Sequence, residues 1–232
     1  MMDLKRRVYD SNIALVKANL VVLTWGNASA VDRERGIVAI KPSGVAYDTM
    51  TPDDIVLVSL ETGKPLDGET LRPSSDTPTH VCLYQRFPQV NGIVHTHSRH
   101  ATSWAQAGRA IPCYGTTHAD TFHGEVPLVR ALTPQEIDGA YEWNTGLAIV
   151  AHFEIHVLDP IHTPGALLAY HAPFAWGATP EKAVEHAIVL EEVAALAMQT
   201  EALNANAAPA PDALQEKHFQ RKHGPSAYYG QK

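Results

Sequence analysis

Over the first twenty positions Leu4, Val8 and Leu15 are spaced among charged residues as on one face of an amphipathic helix. The chain then enters the apolar run Leu20-Val21-Val22-Leu23, which reads as a strand. Ala28 to Val31 and Ile37 to Ile40 flank the turn-like Arg33-Glu34-Arg35-Gly36, and Ile55 to Leu60 runs into a second turn at Glu61-Thr62-Gly63-Lys64. The N-terminal third is therefore expected to be strand-rich. Gly92 to His97 and Ala166 to Tyr170 are further apolar runs of strand length.

Helix starts are marked by Thr-Pro pairs at Thr51-Pro52, Thr77-Pro78, Thr133-Pro134 and Thr179-Pro180, with Thr as N-cap and Pro at the first helical position. Glu136 adds a capping box to the third pair. Residues 180 to 203 read as a long Ala-, Val- and Leu-rich helix. Residues 204 to 211 read as a linker, and roughly 212 to 223 as a last helix before a tail ending Ala227-Tyr228-Tyr229-Gly230. The pattern is mixed α/β without an internal repeat.

Composition narrows the function classes. The chain of 232 residues has the length of one large domain, and its 45% hydrophobic and 19% charged residues suit a folded globular protein. A formal charge of -7 argues against broad attachment to nucleic acid or to an anionic membrane, so an anionic small substrate needs a local cationic pocket. Cys82 and Cys113 show no disulfide pattern, and Met1 to Arg7 lacks the apolar run of a signal peptide. A cytoplasmic location is the expectation.

Histidine carries the first candidate chemistry. In His95-Thr96-His97 the two imidazoles lie two residues apart at a strand end, on one face. His171 follows another expected strand, and if the two strands are neighbours all three rings converge at one sheet edge. The bland alternative is three hydrogen-bonded polar residues at strand ends. Asp76, at an expected helix start, reads equally as a fourth ligand, a nearby base or helix-terminal charge. Three imidazoles plus a carboxylate suit Zn, Mn, Co or Ni better than Mg or Ca.

Lys41-Pro42-Ser43-Gly44 combines a cation, a hydroxyl and backbone N–H groups directly after a strand, and Trp25-Gly26-Asn27 and Ser74-Ser75 add donors. Each segment alone is more often a turn than an anion site. Asp120, in the polar stretch Gly115 to Asp120, is a candidate proton carrier or a solvated surface carboxylate. Tyr228 and Tyr229 are candidate proton donors or anchors of the tail.

Six segments in order resemble the class II aldolase and adducin superfamily, and within it the branch of sugar-phosphate 4-epimerases. They are Leu23-Thr24-Trp25-Gly26-Asn27, Ile40-Lys41-Pro42-Ser43-Gly44, Pro73-Ser74-Ser75-Asp76-Thr77-Pro78-Thr79-His80, Ile93-Val94-His95-Thr96-His97-Ser98-Arg99-His100, Gly115-Thr116-Thr117-His118-Ala119-Asp120 and Pro173-Phe174-Ala175-Trp176-Gly177. The resemblance runs from about Leu4 to Gly230. Family aldolases usually carry Glu where this chain has Asp76, and the tail Arg221 to Gln231 is epimerase-like.

The resemblance implies one domain over residues 1–232, with a three-layer α/β/α fold and a central, largely antiparallel sheet. It implies a homotetramer whose active sites lie between subunits, the segment from about 212 to 232 reaching toward a neighbour. Carried onto matching positions, it makes His95, His97 and His171 ligands of one divalent transition metal, zinc foremost, with Asp76 a ligand or close neighbour. Asn27, Ser43, Gly44, Ser74 and Ser75 would hold a phosphate, with Lys41 near it. Asp120 and, from an adjacent subunit, Tyr229 would carry protons, supported by Thr116, Glu142 and His218. The activity implied is metal-dependent epimerisation of L-ribulose 5-phosphate to D-xylulose 5-phosphate. An aldolase that releases its aldehyde and a non-catalytic adducin-like module are the alternatives. Where the family commonly reads Ser-His-Gly-Pro, this chain has Tyr170-His171-Ala172-Pro173, a change expected to alter the pocket wall.

Overall fold

The computed structural model describes residues 1–225, 227 and 228. Its strands are β1 (Asn27–Asp32), β2 (Ile37–Ile40), β3 (Val56–Ser59), β4 (Gly92–His95), β5 (Leu128–Val129), β6 (Gly165–Leu168) and β7 (Pro173–Gly177). Its helices are α1 (Met2–Lys17), α2 (Thr77–Arg86), α3 (Arg99–Gln106), α4 (Thr116–Ala119), α5 (Pro134–Asp138), α6 (Tyr141–Ile155), α7 (Pro180–Leu203) and α8 (Asp212–His223). The strands form one sheet in the order β3-β2-β1-β4-β7-β6-β5, antiparallel throughout except for the β5–β6 pair.

Alternation along the strands builds three layers. Val31, Val38, Val56, Val58, Ile93, Phe174 and Trp176 face α2 and α6, while Ala28, Val94, Leu167 and Ala175 face α3 and α7. Ala30, Ala39 and Leu57 meet Val8 of α1 on that second side. Each strand thus supplies both cores, as a sheet covered on two faces requires. Gly92 is obligatory in this packing, because a Cβ there would lie 2.4 Å from the backbone of Pro180 at the start of α7.

Local signals held unevenly. The β1–β2 hairpin, the long α7 and the terminal α8 lie where the pattern predicts them. Leu20 to Leu23 is not a strand: Asn19 (φ 57°) and Leu23 (φ 54°) take left-handed conformations, so the segment turns, burying Leu20 and leaving Leu23 exposed. After Thr51 only a single 3-10 turn, Pro52–Asp54, forms, with the Asp54 carboxylate accepting from the Thr51 N–H at 2.7 Å. The Thr133 capping box is present, but the helix it starts ends by Gly139 and the main helix restarts at Tyr141. The N-cap of α2 is Asp76 rather than Thr77, whose hydroxyl donates to the Ser74 carbonyl at 2.6 Å. Among the described residues no helix is long and apolar enough to cross a membrane.

Candidate metal centre and substrate cavity

β4 ends at His95, which faces the α2/α6 side together with Ile93, and His97 lies two residues beyond it. His171 arrives by a different route from the one expected. β4 and β6 are not neighbours, because β7 lies between them, and His171 sits in the tight β6–β7 connection, where Tyr170 takes φ 63°. The three imidazoles nevertheless converge: one nitrogen from each lies within 4.8 Å of the others. The ring centroids are 4.9 to 5.2 Å apart.

The protonation states suit a metal. His95 Nδ1 lies 3.0 Å from the Pro173 carbonyl oxygen, which can only accept, so Nδ1 carries a hydrogen and Nε2 is the nitrogen turned to the cluster. Burial, reinforced by the His95 and His97 rings, pushes His171 down to about 4, and burial lowers His97 as well. These two rings are therefore neutral at neutral pH, as ligand imidazoles must be. Three imidazole nitrogen donors at one point fit a borderline divalent transition ion.

Asp76 stands outside that three-residue group. Although it occupies the N-cap position of α2, its carboxylate makes no capping bond. Its Oδ2 instead accepts from Asn27 Nδ2 at 2.7 Å, with Ser74 Oγ at 3.4 Å. Burial alone would raise this carboxyl, but facing imidazoles and the Asn27 hydrogen bond hold it below the ordinary range. Asn27 Nδ2 also donates to Ser74 Oγ at 3.1 Å. The Asn27 amide and the Ser74 hydroxyl thus both engage Asp76 at the cavity wall.

These groups open onto one cavity of ≈ 660 Å³, whose wall includes Asn27, Lys41, Ser43, Gly44, Ser74, Ser75, Asp76, His95, His97, Glu142 and His171. Backbone bonds from Ser43 N–H to the Arg72 carbonyl and from Ser74 N–H to the Lys41 carbonyl, both 2.9 Å, clamp the two Ser-bearing loops side by side. Lys41 is buried, its ammonium donating to the Val45 carbonyl at 2.7 Å and lying 4.7 Å from the Tyr47 ring centre. Burial lowers its pKa. The tight approach beneath the site explains Gly26: it has φ 87°, and a Cβ would fall 2.9 Å from the His95 carbonyl oxygen.

Two features, one in the cavity wall and one behind it, were not anticipated. Tyr141 lines the wall with its hydroxyl 3.4 Å from His171 Nδ1, and only its adjacency to Glu142 could have flagged it. His80 is fully buried on α2, one helical turn beyond Asp76, a spacing that is visible in the sequence. The Tyr170 side chain is 76% exposed and lies outside the cavity wall, its backbone takes the left-handed φ of 63°, and Ala172 is fully buried.

Thr116, Asp120 and His218 do not line this cavity. Asp120 follows α4, a short helix where a polar loop was expected, and is neither solvated nor free. Its carboxylate accepts from His218 Nδ1 at 3.0 Å and from Arg221 at 3.1 and 2.8 Å, which ties α8 to the body of the protein. Burial would raise the Asp120 carboxyl, but the Arg221 and His218 bonds hold it low. Tyr229 lies outside the described residues.

With this geometry in view, known proteins supply the context. Residues 6–198 match the family described as Class II Aldolase and Adducin N-terminal domain. Proteins named L-ribulose-5-phosphate 4-epimerase UlaF from Salmonella paratyphi A and from Salmonella typhi are each 54% identical over 232 residues, covering 100% of both chains. Among solved structures, an L-fuculose 1-phosphate aldolase superposes with a TM-score of 0.78 at 23% identity, covering 94% of this chain and 95% of that one. The L-fuculose-1-phosphate aldolase of Thermus thermophilus gives 0.67 at 25% identity, covering 90% and 98%. The three-layer architecture and the full-length likeness lead to one conclusion: this chain belongs to the class II aldolase and adducin family.

Proposed function

We propose that the protein is a metal-dependent epimerase that interconverts L-ribulose 5-phosphate and D-xylulose 5-phosphate by breaking and remaking the C3–C4 bond. The observation that carries the reading is the single cavity in which the three-histidine cluster faces the clamped Ser43-Gly44 and Ser74-Ser75 loops. The relatives 54% identical over their whole length support it.

His95, His97 and His171 would hold one divalent transition ion, zinc foremost, with Mn, Co and Ni compatible with the same donors. Bound there, the ion supplies a Lewis acid for negative charge developing on the C2 and C3 oxygens. Asp76 is assigned a place beside the ligands, held by Asn27 and Ser74. The phosphate is assigned to Asn27, Ser43, Gly44, Ser74 and Ser75, with Lys41 behind them as the nearby buried cation.

A protein base removes the proton from the C4 hydroxyl as the C3–C4 electron pair moves onto the three-carbon fragment. This leaves an enediolate and glycolaldehyde phosphate. The aldehyde turns, C3 adds to its opposite face, and the C4 oxygen regains a proton from a second residue. Two faces need two proton carriers, assigned to Asp120 and Tyr229 with Thr116, Glu142 and His218 in support. Because Asp120 lies outside the cavity of its own chain, these roles call for α8 and the tail to act on a neighbouring subunit in a homotetramer. Residues 1–232 then work as one domain, and the two free, buried thiols fit the cytoplasm.

An NMR time course with L-ribulose 5-phosphate tests this. Chelator-sensitive appearance of D-xylulose 5-phosphate is expected, and no conversion by metal-loaded protein would reject the reading. Rapid synthesis of a 6-deoxyketose phosphate from dihydroxyacetone phosphate and lactaldehyde would point instead to an aldolase.

A further inference from the structure

Beneath the cavity lie three buried polar side chains, Ser29, His80 and Tyr84, that the reaction above leaves without a task. Asn27 and Ser29 share one face of β1, and opposite them Asp76, His80 and Tyr84 recur every fourth residue along α2. The two spacings match because two strand residues advance about 6.8 Å and four helical residues about 6.0 Å. Asn27 donates to Asp76 at 2.7 Å, and Ser29 Oγ lies 2.7 Å from both His80 Nδ1 and the Tyr84 hydroxyl. Ser29, His80 and Tyr84 are each 0% exposed.

One ring nitrogen here, His80 Nε2, is buried without a hydrogen-bond partner among the described residues. Burial pushes the ring down to about 3, so it is neutral and carries one hydrogen, and the charges acting on it are those of Asp76 and His95. Ser29 has a single hydroxyl hydrogen to share between two neighbours. When Tyr84 donates to Ser29 and Ser29 donates to His80 Nδ1, the ring hydrogen must sit on Nε2. The Asp76 carboxylate, one helical turn away and acting on the ring, favours that arrangement, since it stabilises a donor and not a lone pair. Asn27 and Ser74 both engage Asp76 through Oδ2.

We propose that His80 is a positioning residue for Asp76: the Tyr84–Ser29–His80 chain sets the ring tautomer, and the Nε2 hydrogen restrains the Asp76 carboxylate through one buried water, beside the three metal-ligating histidines. This rests on the metal-enzyme reading above and adds to it a residue that touches neither ion nor substrate. A buried imidazole with an idle N–H is otherwise a cost that an apolar side chain would avoid.

The test uses the full-length protein with His80→Leu, His80→Gln and Ser29→Ala, each also in an Asp76→Asn background. Zinc affinity is read by competition with a chromophoric chelator, and ligand-field geometry from the visible spectrum of the Co(II)-substituted protein. His80→Leu should weaken zinc at least tenfold and alter the Co(II) bands. His80→Gln, whose amide N–H reaches a similar place, should restore most of both, and Ser29→Ala should fall between. In the Asp76→Asn background the His80→Leu effect should vanish, which a merely structural role would not produce. If His80→Leu and Ser29→Ala leave affinity and spectrum at the wild-type values, or if the His80→Leu loss persists without Asp76, the proposal is overturned. A wild-type protein that takes up no divalent ion would instead overturn the reading beneath it.

Discussion

His95 Nδ1 lies 3.0 Å from the carbonyl oxygen of Pro173, the first residue of the neighbouring strand β7. This contact orients the central imidazole with a group that no side-chain substitution can remove. It also joins the strand that delivers His95 and His97 to the strand whose approach delivers His171. The metal-centre geometry is therefore a property of the β4–β7 pairing, whose register sets His95 against Phe174, and the His95 ring stacks on that phenylalanine at 4.2 Å.

Single replacement of His95, His97 or His171 by Ala should lower bound metal from one ion per chain to a small fraction, with turnover falling in parallel. Elemental analysis after dialysis, with circular dichroism to confirm folding, checks this. A variant that retains a full complement of metal removes that histidine from the ligand set.

Asn27→Asp should damage the site more than Asn27→Ala. The first places a second carboxylate against Asp76 where a donor now lies 2.7 Å away, whereas the second only removes the donor. Loss of a partner to a buried charged acceptor costs about 1–3 kcal/mol. Denaturant titration and turnover of both variants decide the order, and equal effects would mean that the Asn27 contact does not govern Asp76.

Gly26→Ala should destabilise the protein by more than about 1 kcal/mol, because both its φ of 87° and the 2.9 Å approach to the His95 carbonyl oppose a Cβ. Metal affinity should fall as well, since relief of the clash moves the backbone of a ligand. Gly36, also at positive φ but with nothing within 4 Å, serves as the control: Gly36→Ala should lower stability without changing metal binding.

His118 gives a pH dependence separate from the metal centre. Burial depresses its imidazole to about 4, against about 6.5 in the unfolded chain. Its contribution to stability is complete above about pH 6.5. As pH falls toward 4 the unfolded state binds a proton that the folded state refuses, and stability declines. The single group accounts for on the order of 3 kcal/mol across that window. Chelator-treated His118→Leu should show a shallower fall in stability between pH 6.5 and 4 than chelator-treated wild type, and identical slopes would contradict the assignment.

Asp120→Asn should loosen α8, because it weakens contacts to both His218 and Arg221. Faster limited proteolysis within residues 204–211 is the expected sign, readable without any activity measurement. Unchanged cleavage would show that other contacts, such as His123–Glu216 and the packing of Phe219, hold the helix in place.

Much of this protein is set by local sequence. The apolar runs Ala28 to Val31 and Ile37 to Ile40 on either side of Arg33-Glu34-Arg35-Gly36 define a hairpin, and strand geometry sends their alternate side chains to two faces. The same rule puts His95 and His97 on one side, and the four-residue spacing of Asp76, His80 and Tyr84 puts them in line on α2. Tertiary structure decided what pairs with what. Leu20 to Leu23 has strand composition, yet it turns through two left-handed residues on the way from α1 to β1. His171 reaches its partners only because β7 inserts between β4 and β6, a pairing across about eighty residues that no local pattern encodes. Asp120 reads as a loop carboxylate, but α8, arriving a hundred residues later, claims it through Arg221 and His218. Local sequence sets propensity and facing, which depend on near neighbours. Pairing partners and the fate of a polar group depend on residues distant in the chain, which only the packed fold brings together.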